Sequence, residues 1–277
     1  MRTYDSALRM PPMRPYLEDT FAHLRFAYEK ARLDIQAANK NTWFGQLWNI
    51  LNPLFLAMIY WLLVVVIFGS GGSIFDKEGL RILTQIVGGL FLFGLPSSGI
   101  ALGARSIIQG GTFVLNTRLP RLILPVSAVI SSFLVFLPSM LVYVGFHALA
   151  RYQFGLQMLW IFPIILLVFI TTMGLTMMAA TGTVYFRDIA SFLPYVLRIW
   201  MYLSPIIYLY TRIPSSLEWS IYANPLGALF TSWQQILYEN SVPDLSYLMA
   251  GALWSFGSLT CGLLMFLRKE REFAVRI

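Results

Sequence analysis

The chain has 277 residues, of which 57% are hydrophobic and only 12% charged, well below the ~25% charged residues of a soluble domain. Its mean hydropathy is +0.67 and its formal net charge +7. These values exclude a large water-soluble domain, and the placement of the charge excludes a nucleic-acid footprint. Six apolar blocks, at 47–69, 82–104, 122–148, 156–184, 189–210 and 246–267, contain one formal charge, Arg198. A bilayer crossing takes ~20 apolar residues, because no water inside the hydrocarbon can satisfy an open backbone. The sequence therefore predicts an all-α membrane protein with six transmembrane helices. Segments 1–46, 105–121, 185–188 and 268–277 then share a face and carry 15 of the 20 Lys and Arg residues. The opposite face has Lys77, Arg81, Arg151 and Arg212, so both termini are expected to be cytoplasmic. The first 46 residues lack the apolar core and cleavage site of a signal peptide, which leaves the first span as the insertion signal.

Residues 1–15, with Pro11, Pro12 and Pro15, read as a mobile tail. Next, Leu17, Phe21, Leu24, Tyr28, Ala31, Ile35 and Ala38 recur in steps of four and three, one face of an α-helix. Segment 16–46 is expected to be an amphipathic helix at the membrane interface or against a partner; a short coiled coil is the alternative. The first span opens with Trp43, Phe44 and Trp48 and carries Asn52-Pro53, whose proline frees a carbonyl. Gly69-Ser70-Gly71-Gly72 starts a flexible outer loop with Asp76, Lys77 and Glu78. The second span holds Gly88-Gly89, Pro96 and Gly99-x-x-x-Gly103, a spacing that allows close helix contact. The inner loop ends Asn116-Thr117-Arg118-Leu119-Pro120-Arg121 and predicts a short helix broken at Pro120. Tyr185-Phe186-Arg187-Asp188 is a very short inner turn, and Ser204-Pro205 predicts a kink in the outer half of the fifth span. Residues 211–245 are amphipathic yet too short and polar to cross, so they read as two short, half-buried interfacial helices separated by Asn224-Pro225. Cys261, the one cysteine, reads as a small packed apolar residue. No internal repeat appears, so an inverted-repeat transporter gains no support.

The missing motifs discriminate between function classes. The lysines are Lys30, Lys40, Lys77 and Lys269, and none stands in a phosphate-binding G-x-x-x-x-G-K-[ST] loop. His23 and His147 lie in separate regions and read as interface residues rather than metal ligands. No span contains Asp or Glu, which removes the acidic relay of an ion-coupled carrier. Asp188 is alone on the inside, and Glu218, Glu239 and Asp244 are scattered outside, without the clustered acids a membrane transferase needs for a metal and phosphates.

Several segments, taken together, resemble the membrane subunit of ABC-2-type exporters of cell-envelope polysaccharides and teichoic acids. They are Asn39-Lys40-Asn41, Gly45-Gln46-Leu47-Trp48, Leu51-Asn52-Pro53-Leu54 and Tyr60-Trp61, then Pro120-Arg121-Leu122-Ile123-Leu124-Pro125 and Tyr185-Phe186-Arg187-Asp188. Tyr202-Leu203-Ser204-Pro205-Ile206-Ile207-Tyr208, Asn224-Pro225-Leu226 and the tail from Phe266 to Ala274 complete the set. The resemblance makes 47–277 an ABC-2-type transmembrane domain and the chain a transporter subunit rather than an enzyme. It implies assembly with a second copy and two copies of a separate ATPase, which carries the ATP and Mg; no cofactor is expected on this chain. The implied substrate is a polymer on a polyprenyl pyrophosphate (O-antigen, teichoic acid, capsule or cell-wall galactan type) crossing the inner membrane. An ABC-2 exporter of lipids or drugs, or a membrane enzyme acting on polyprenyl-linked sugars, is the alternative.

The resemblance also assigns roles. The loop at about 106–121 would carry a coupling helix seated in the ATPase, and the helices at roughly 214–238 an outer gate. Arg118, Arg121, Arg187 and Asp188 are the coupling candidates; the arginines read also as topology anchors, and Arg187-Asp188 as a turn-stabilising ion pair. Trp48, Tyr60, Trp61, Tyr202 and Tyr208 are candidates for a substrate channel, with helix packing the alternative for each. Arg198 lies ~15 Å along the fifth span, too deep to reach the inner surface easily. Carbonyls freed by Pro194 or Pro205, a water-filled path, or an anion would have to satisfy it. Guanidinium binds phosphate oxygens bidentately, so structural and substrate-contacting roles both stand.

Overall fold

The computed structural model describes residues 13–38, 40–63, 77–111, 117 and 119–276. Residues 1–12 of the expected tail, the loop at 69–72 with Asp76, and residues 112–116 and Arg118 of the inner loop lie outside the described residues. The described residues form ten α-helices and no strand: α1 Met13–Ala22, α2 Leu24–Ala38, α3 Trp48–Leu62, α4 Lys77–Gln109, α5 Ile123–Leu149, α6 Ile161–Tyr185, α7 Ile189–Leu203, α8 Trp219–Ala223, α9 Gly227–Tyr238 and α10 Leu245–Arg276. Among the described residues, four segments are long and apolar enough to cross a membrane: α4, α5, α6 with the turn before it, and α10.

α4 is the central post, flanked by α3, α5, α6 and α7, and α6 in turn packs along α10. Small residues set these contacts. A Cβ on Gly99 or Gly103 would collide with Thr172 or Thr176 of α6, so the predicted spacing is indeed a helix contact. Gly174 and Gly262 were not singled out from sequence, yet a side chain on either would strike backbone of the other helix. The core falls into two clusters. One, toward the end where α1 meets the last turns of α10, gathers Ile107, Ile123, Met177, Phe266 and Phe273. The other, toward the far end, gathers Leu92, Leu95, Phe136, Phe230 and Trp233.

The amphipathic segment differs from expectation in two ways. It is two helices broken at His23, and the first begins at Met13, so residues 13–15 of the expected tail are helical. Its buried stripe is Tyr16, Thr20, Ala27 and Ala31, rotated from the predicted face, while Phe21, Leu24 and Tyr28 are exposed. Small Ala27 and Ala31 let α2 lie close on α5, where the Ser131 hydroxyl donates to the Ala31 carbonyl at 3.2 Å. The link from α2 to α3 turns through Asn41 and Gly45 in left-handed backbone (φ 64° and 52°), which suits those residue types.

The fifth apolar block is not one kinked helix. α7 stops at Leu203, because Ser204 is extended and Pro205 has no N–H to continue the ladder. Its 15 residues reach only ~22 Å. The two expected short helices are present, but α9 is buried all round rather than half-buried, since it fits between α4, α6 and α10. His147, expected at an interface, is 1% exposed among the rings of Tyr143, Tyr152 and Phe154. Cys261 is exposed on α10 rather than packed.

The backbone contact between α6 and α10 generates a stability prediction. Gly262→Val should lower stability in detergent by about 2 kcal/mol or more, because overpacking a tight site is costly and the obstacle here is backbone. Gly145→Ala, with open space around its Cβ, should be neutral or stabilising by up to ~1 kcal/mol. Denaturant or thermal unfolding in micelles compares them; equal stability would mean that this approach does not hold the pair.

Candidate functional site

Where α1 meets the last turns of α10, two segments distant in sequence converge on Glu270, which is only 8% exposed. The Tyr16 hydroxyl donates to Glu270 Oε1 at 2.6 Å, and the Arg121 backbone N–H donates to the same oxygen at 3.1 Å. The Arg121 guanidinium donates to the Glu270 carbonyl, and the Leu122 N–H to the Tyr16 hydroxyl at 3.3 Å. Burial first, then the neighbouring Glu270 carboxylate, push the Tyr16 phenol far above its ordinary value, so it stays a proton donor. Arg121, a coupling candidate, is thus half-buried and committed inside the chain. Arg187 and Asp188 are exposed in the turn between α6 and α7, and among the described residues neither is in a salt bridge. Just before that turn, the Tyr185 hydroxyl donates to Glu272, and the guanidinium of Arg276 lies 4.2 Å from the Tyr185 ring centre. Arg105, at the end of α4, donates to the Ala190 carbonyl of α7 at 3.3 Å.

The channel candidates divide by position. Tyr60 of α3 and Tyr202 of α7 meet edge to face, with hydroxyls 2.7 Å apart. Arg198 is exposed one turn away and acts electrostatically on Tyr60; among the described residues it has no salt bridge. Phe192, Tyr195, Ile199 and Leu203 are exposed beside it on α7, as are Phe55, Ile59 and Leu62 on α3. These residues leave a broad apolar face holding one guanidinium. Trp61 belongs elsewhere: its indole N–H donates to the Gly79 carbonyl at 2.7 Å and ties α3 to the start of α4. Trp48 is half-buried and meets Phe44 edge on.

At the far end, Tyr202 and Tyr208 border a cavity of about 610 Å³ together with Trp200, Arg212, Trp219 and Asn224. Side-chain amides shape it. Asn224 accepts from the Trp200 indole at 2.7 Å and donates to the Ser204 hydroxyl at 2.8 Å. Gln234 donates to the carbonyls of Pro205 and Tyr208 at 2.8 and 2.9 Å and accepts from the Tyr210 N–H. Of the carbonyls expected to serve Arg198, the one that Pro194 frees, on Ala190, accepts from Arg105 instead. Asn49, Asn52, Ser98, Ser132 and Ser139 border a smaller cavity of about 240 Å³ between α3, α4 and α5. Its three serine hydroxyls donate to carbonyls of their own helices, so they present lone pairs to the space.

Sequence reasoning missed Glu270, Tyr16 and Gln234. Nothing in Arg268-Lys269-Glu270-Arg271-Glu272 marks which carboxylate is buried. The adjacent amides Gln234-Gln235 in an apolar run were a usable signal, because a buried amide implies specific partners.

Comparison with known proteins accords with this architecture. An O-antigen export system permease protein, RfbA, of Klebsiella pneumoniae is 29% identical over 242 residues, covering 87% of this chain and 90% of its own length. The protein of the same name from Myxococcus xanthus is 29% identical over 254 residues, covering 88% and 92%. The ABC-2 type transporter family matches residues 32–238, from α2 to the end of α9, and the chain belongs to that family.

Proposed function

We propose that this chain is the membrane-spanning half of an ATP-driven exporter that moves a polyprenyl-pyrophosphate-linked polysaccharide across the inner membrane, with both termini in the cytoplasm. The names of its relatives support the export of a polysaccharide. The observation that carries the reading is Arg198 on the uncovered face of α3 and α7. A guanidinium at depth in a bilayer costs ~2.5–3.5 kcal/mol or more unless it meets water or a partner. A second copy packed on this face buries its apolar margins and leaves Arg198 and the Tyr60–Tyr202 pair facing an aqueous path. A guanidinium beside tyrosine rings suits a pyrophosphate followed by sugars.

In this reading the chain crosses six times. The exposed apolar side chains of α1 and α2 rest in the inner membrane interface. The loop between α4 and α5 and the turn at Arg187 and Asp188 seat in the ATPase, one ATPase copy beneath each permease copy. α8 and α9, held by Asn224 and Gln234, cover the outer exit beside the aromatic-bordered cavity.

Two outcomes are expected. Purified alone, the chain should not turn over ATP, because it has no phosphate loop; with its ATPase it should form a two-plus-two complex with ATP-dependent export. Robust hydrolysis by the single chain would sink the reading. In that complex, Arg198→Leu should fold and assemble but lose export by about tenfold or more, the effect of losing one charged hydrogen bond of ~1.5–3 kcal/mol, and Arg198→Lys should fall between. Wild-type export by the leucine variant removes Arg198 from the path, whereas loss of folded protein makes it structural.

A further inference from the structure

α10 has 32 residues and a length of ~48 Å, more than a bilayer crossing takes. Its apolar part ends at Leu267, and the remaining turns carry Arg268, Lys269, Glu270, Arg271, Glu272 and Arg276. This charged end of the helix is bound on two sides. Glu270 and Glu272 are two residues apart, and so point to nearly opposite sides of the helix. Glu270 faces α1 and the segment before α5; Glu272 faces the end of α6, where it accepts from Tyr185, and accepts from Lys269 at 3.0 Å.

The contact with α5 has a specific form. α5 starts at Ile123, and its N-cap residue Leu122 supplies no side-chain cap. The N–H groups of Arg121 and Leu122, which precede the helix, are satisfied from outside by Glu270 of α10 and Tyr16 of α1. A carboxylate at a helix start also suits the helix dipole. The first helical N–H groups, of Ile123 and Leu124, are met locally by the carbonyls of Pro120 and Arg121, whereas the partners of Glu270 are 254 and 149 residues away, so the clamp on the segment before the helix is wholly tertiary. Glu270, Tyr16 and the start of α5 thus form one closed unit directly after the loop assigned above to the ATPase contact. Arg105, which joins the inner end of α4 to α7, is the corresponding tie across that loop.

We propose that Glu270 is a positioning residue for energy coupling: it locks α1, the 119–122 segment and the end of α10 into one body, so that movement of the loop before α5 is transmitted to the last membrane helix. Glu272 extends the same body to Tyr185 and the turn that carries Arg187 and Asp188. The coupling role rests on the exporter reading, whereas the lock itself does not.

The test uses the complete permease–ATPase complex in lipid nanodiscs, with Glu270→Met, Glu270→Gln and Tyr16→Phe. Methionine keeps the bulk and removes the acceptor; glutamine keeps an acceptor oxygen for Tyr16 and Arg121. In Glu270→Met, amide hydrogen exchange should rise together in 13–22 and 119–124 while α9 is unchanged. ATP turnover should continue, and polymer exported per ATP should fall by about tenfold, as expected for loss of buried hydrogen bonds; Glu270→Gln should restore most of both. Unchanged exchange in Glu270→Met overturns the lock. Raised exchange with wild-type export per ATP overturns the coupling role and leaves a stabilising contact. If the methionine variant does not assemble, Tyr16→Phe decides, since wild-type export per ATP from it overturns the proposal. A wild-type complex that exports no polymer defeats the exporter reading and with it the coupling role, while the lock is judged by exchange alone.

Discussion

Apolar helices in lipid gain nothing by hiding apolar side chains from one another, because the surroundings are equally apolar; what holds them is how near their backbones can come. The arrangement of α4, α6 and α10 follows from that constraint. Gly99 and Gly103 of α4 sit against Thr172 and Thr176 of α6, and Gly174 of α6 sits against the backbone of α10 at Ser258, close to Gly262. Hydroxyls reinforce the same seam, with Thr171 and Ser255 2.9 Å apart. Once these three helices are fixed, α9 has a defined slot, and α5 and α2 stack outward from α4.

Such a seam explains rigidity but not the irregular segment between α7 and α10, where backbone is buried without a long helix to satisfy it. There side-chain amides replace the ladder. Asn224 holds the indole of Trp200 and the hydroxyl of Ser204, Gln234 holds two carbonyls, and Gln235 exchanges bonds with Asp244 through side chain and backbone. Buried polar groups of this kind are costly when unpaired, so the amides fix one conformation of the segment rather than merely adding stability.

The legibility of the sequence tracks the range of the interactions involved. Long apolar blocks announced α4, α5, α6 and α10, because span length is dictated locally by the bilayer, and Asn224-Pro225 announced the break between α8 and α9. The end of α7 was misplaced because a proline at 205 is compatible with either a kink or a stop, and the choice is made by Gln234 taking the Pro205 carbonyl from 29 residues away. The face of α1 and α2 was misjudged because Phe21, Leu24 and Tyr28 look like core, whereas close packing on α5 demanded alanine. Among the site residues, Tyr60, Arg198 and Tyr202 came together as one patch, but Trp61 proved to be a tie between α3 and α4. Glu270 was invisible because its partners are supplied by tertiary structure alone.

These contrasts separate the molecule into two mechanical classes. α6 and α10 are joined by backbone contact at Gly174 and Gly262, where no flexible side chain can yield, and α4 lies on α6 through glycines seated against stiff threonine side chains. α7 lacks such a seam: it is short, ends in an extended residue and is tied near its start by Arg105 and near its end by Asn224 and Tyr60. Hydrogen bonds of that sort can be exchanged for equivalent ones as a helix turns, whereas a glycine contact cannot be traded. Arg198 thus stands on an element held by exchangeable hydrogen bonds, beside a core held by close packing.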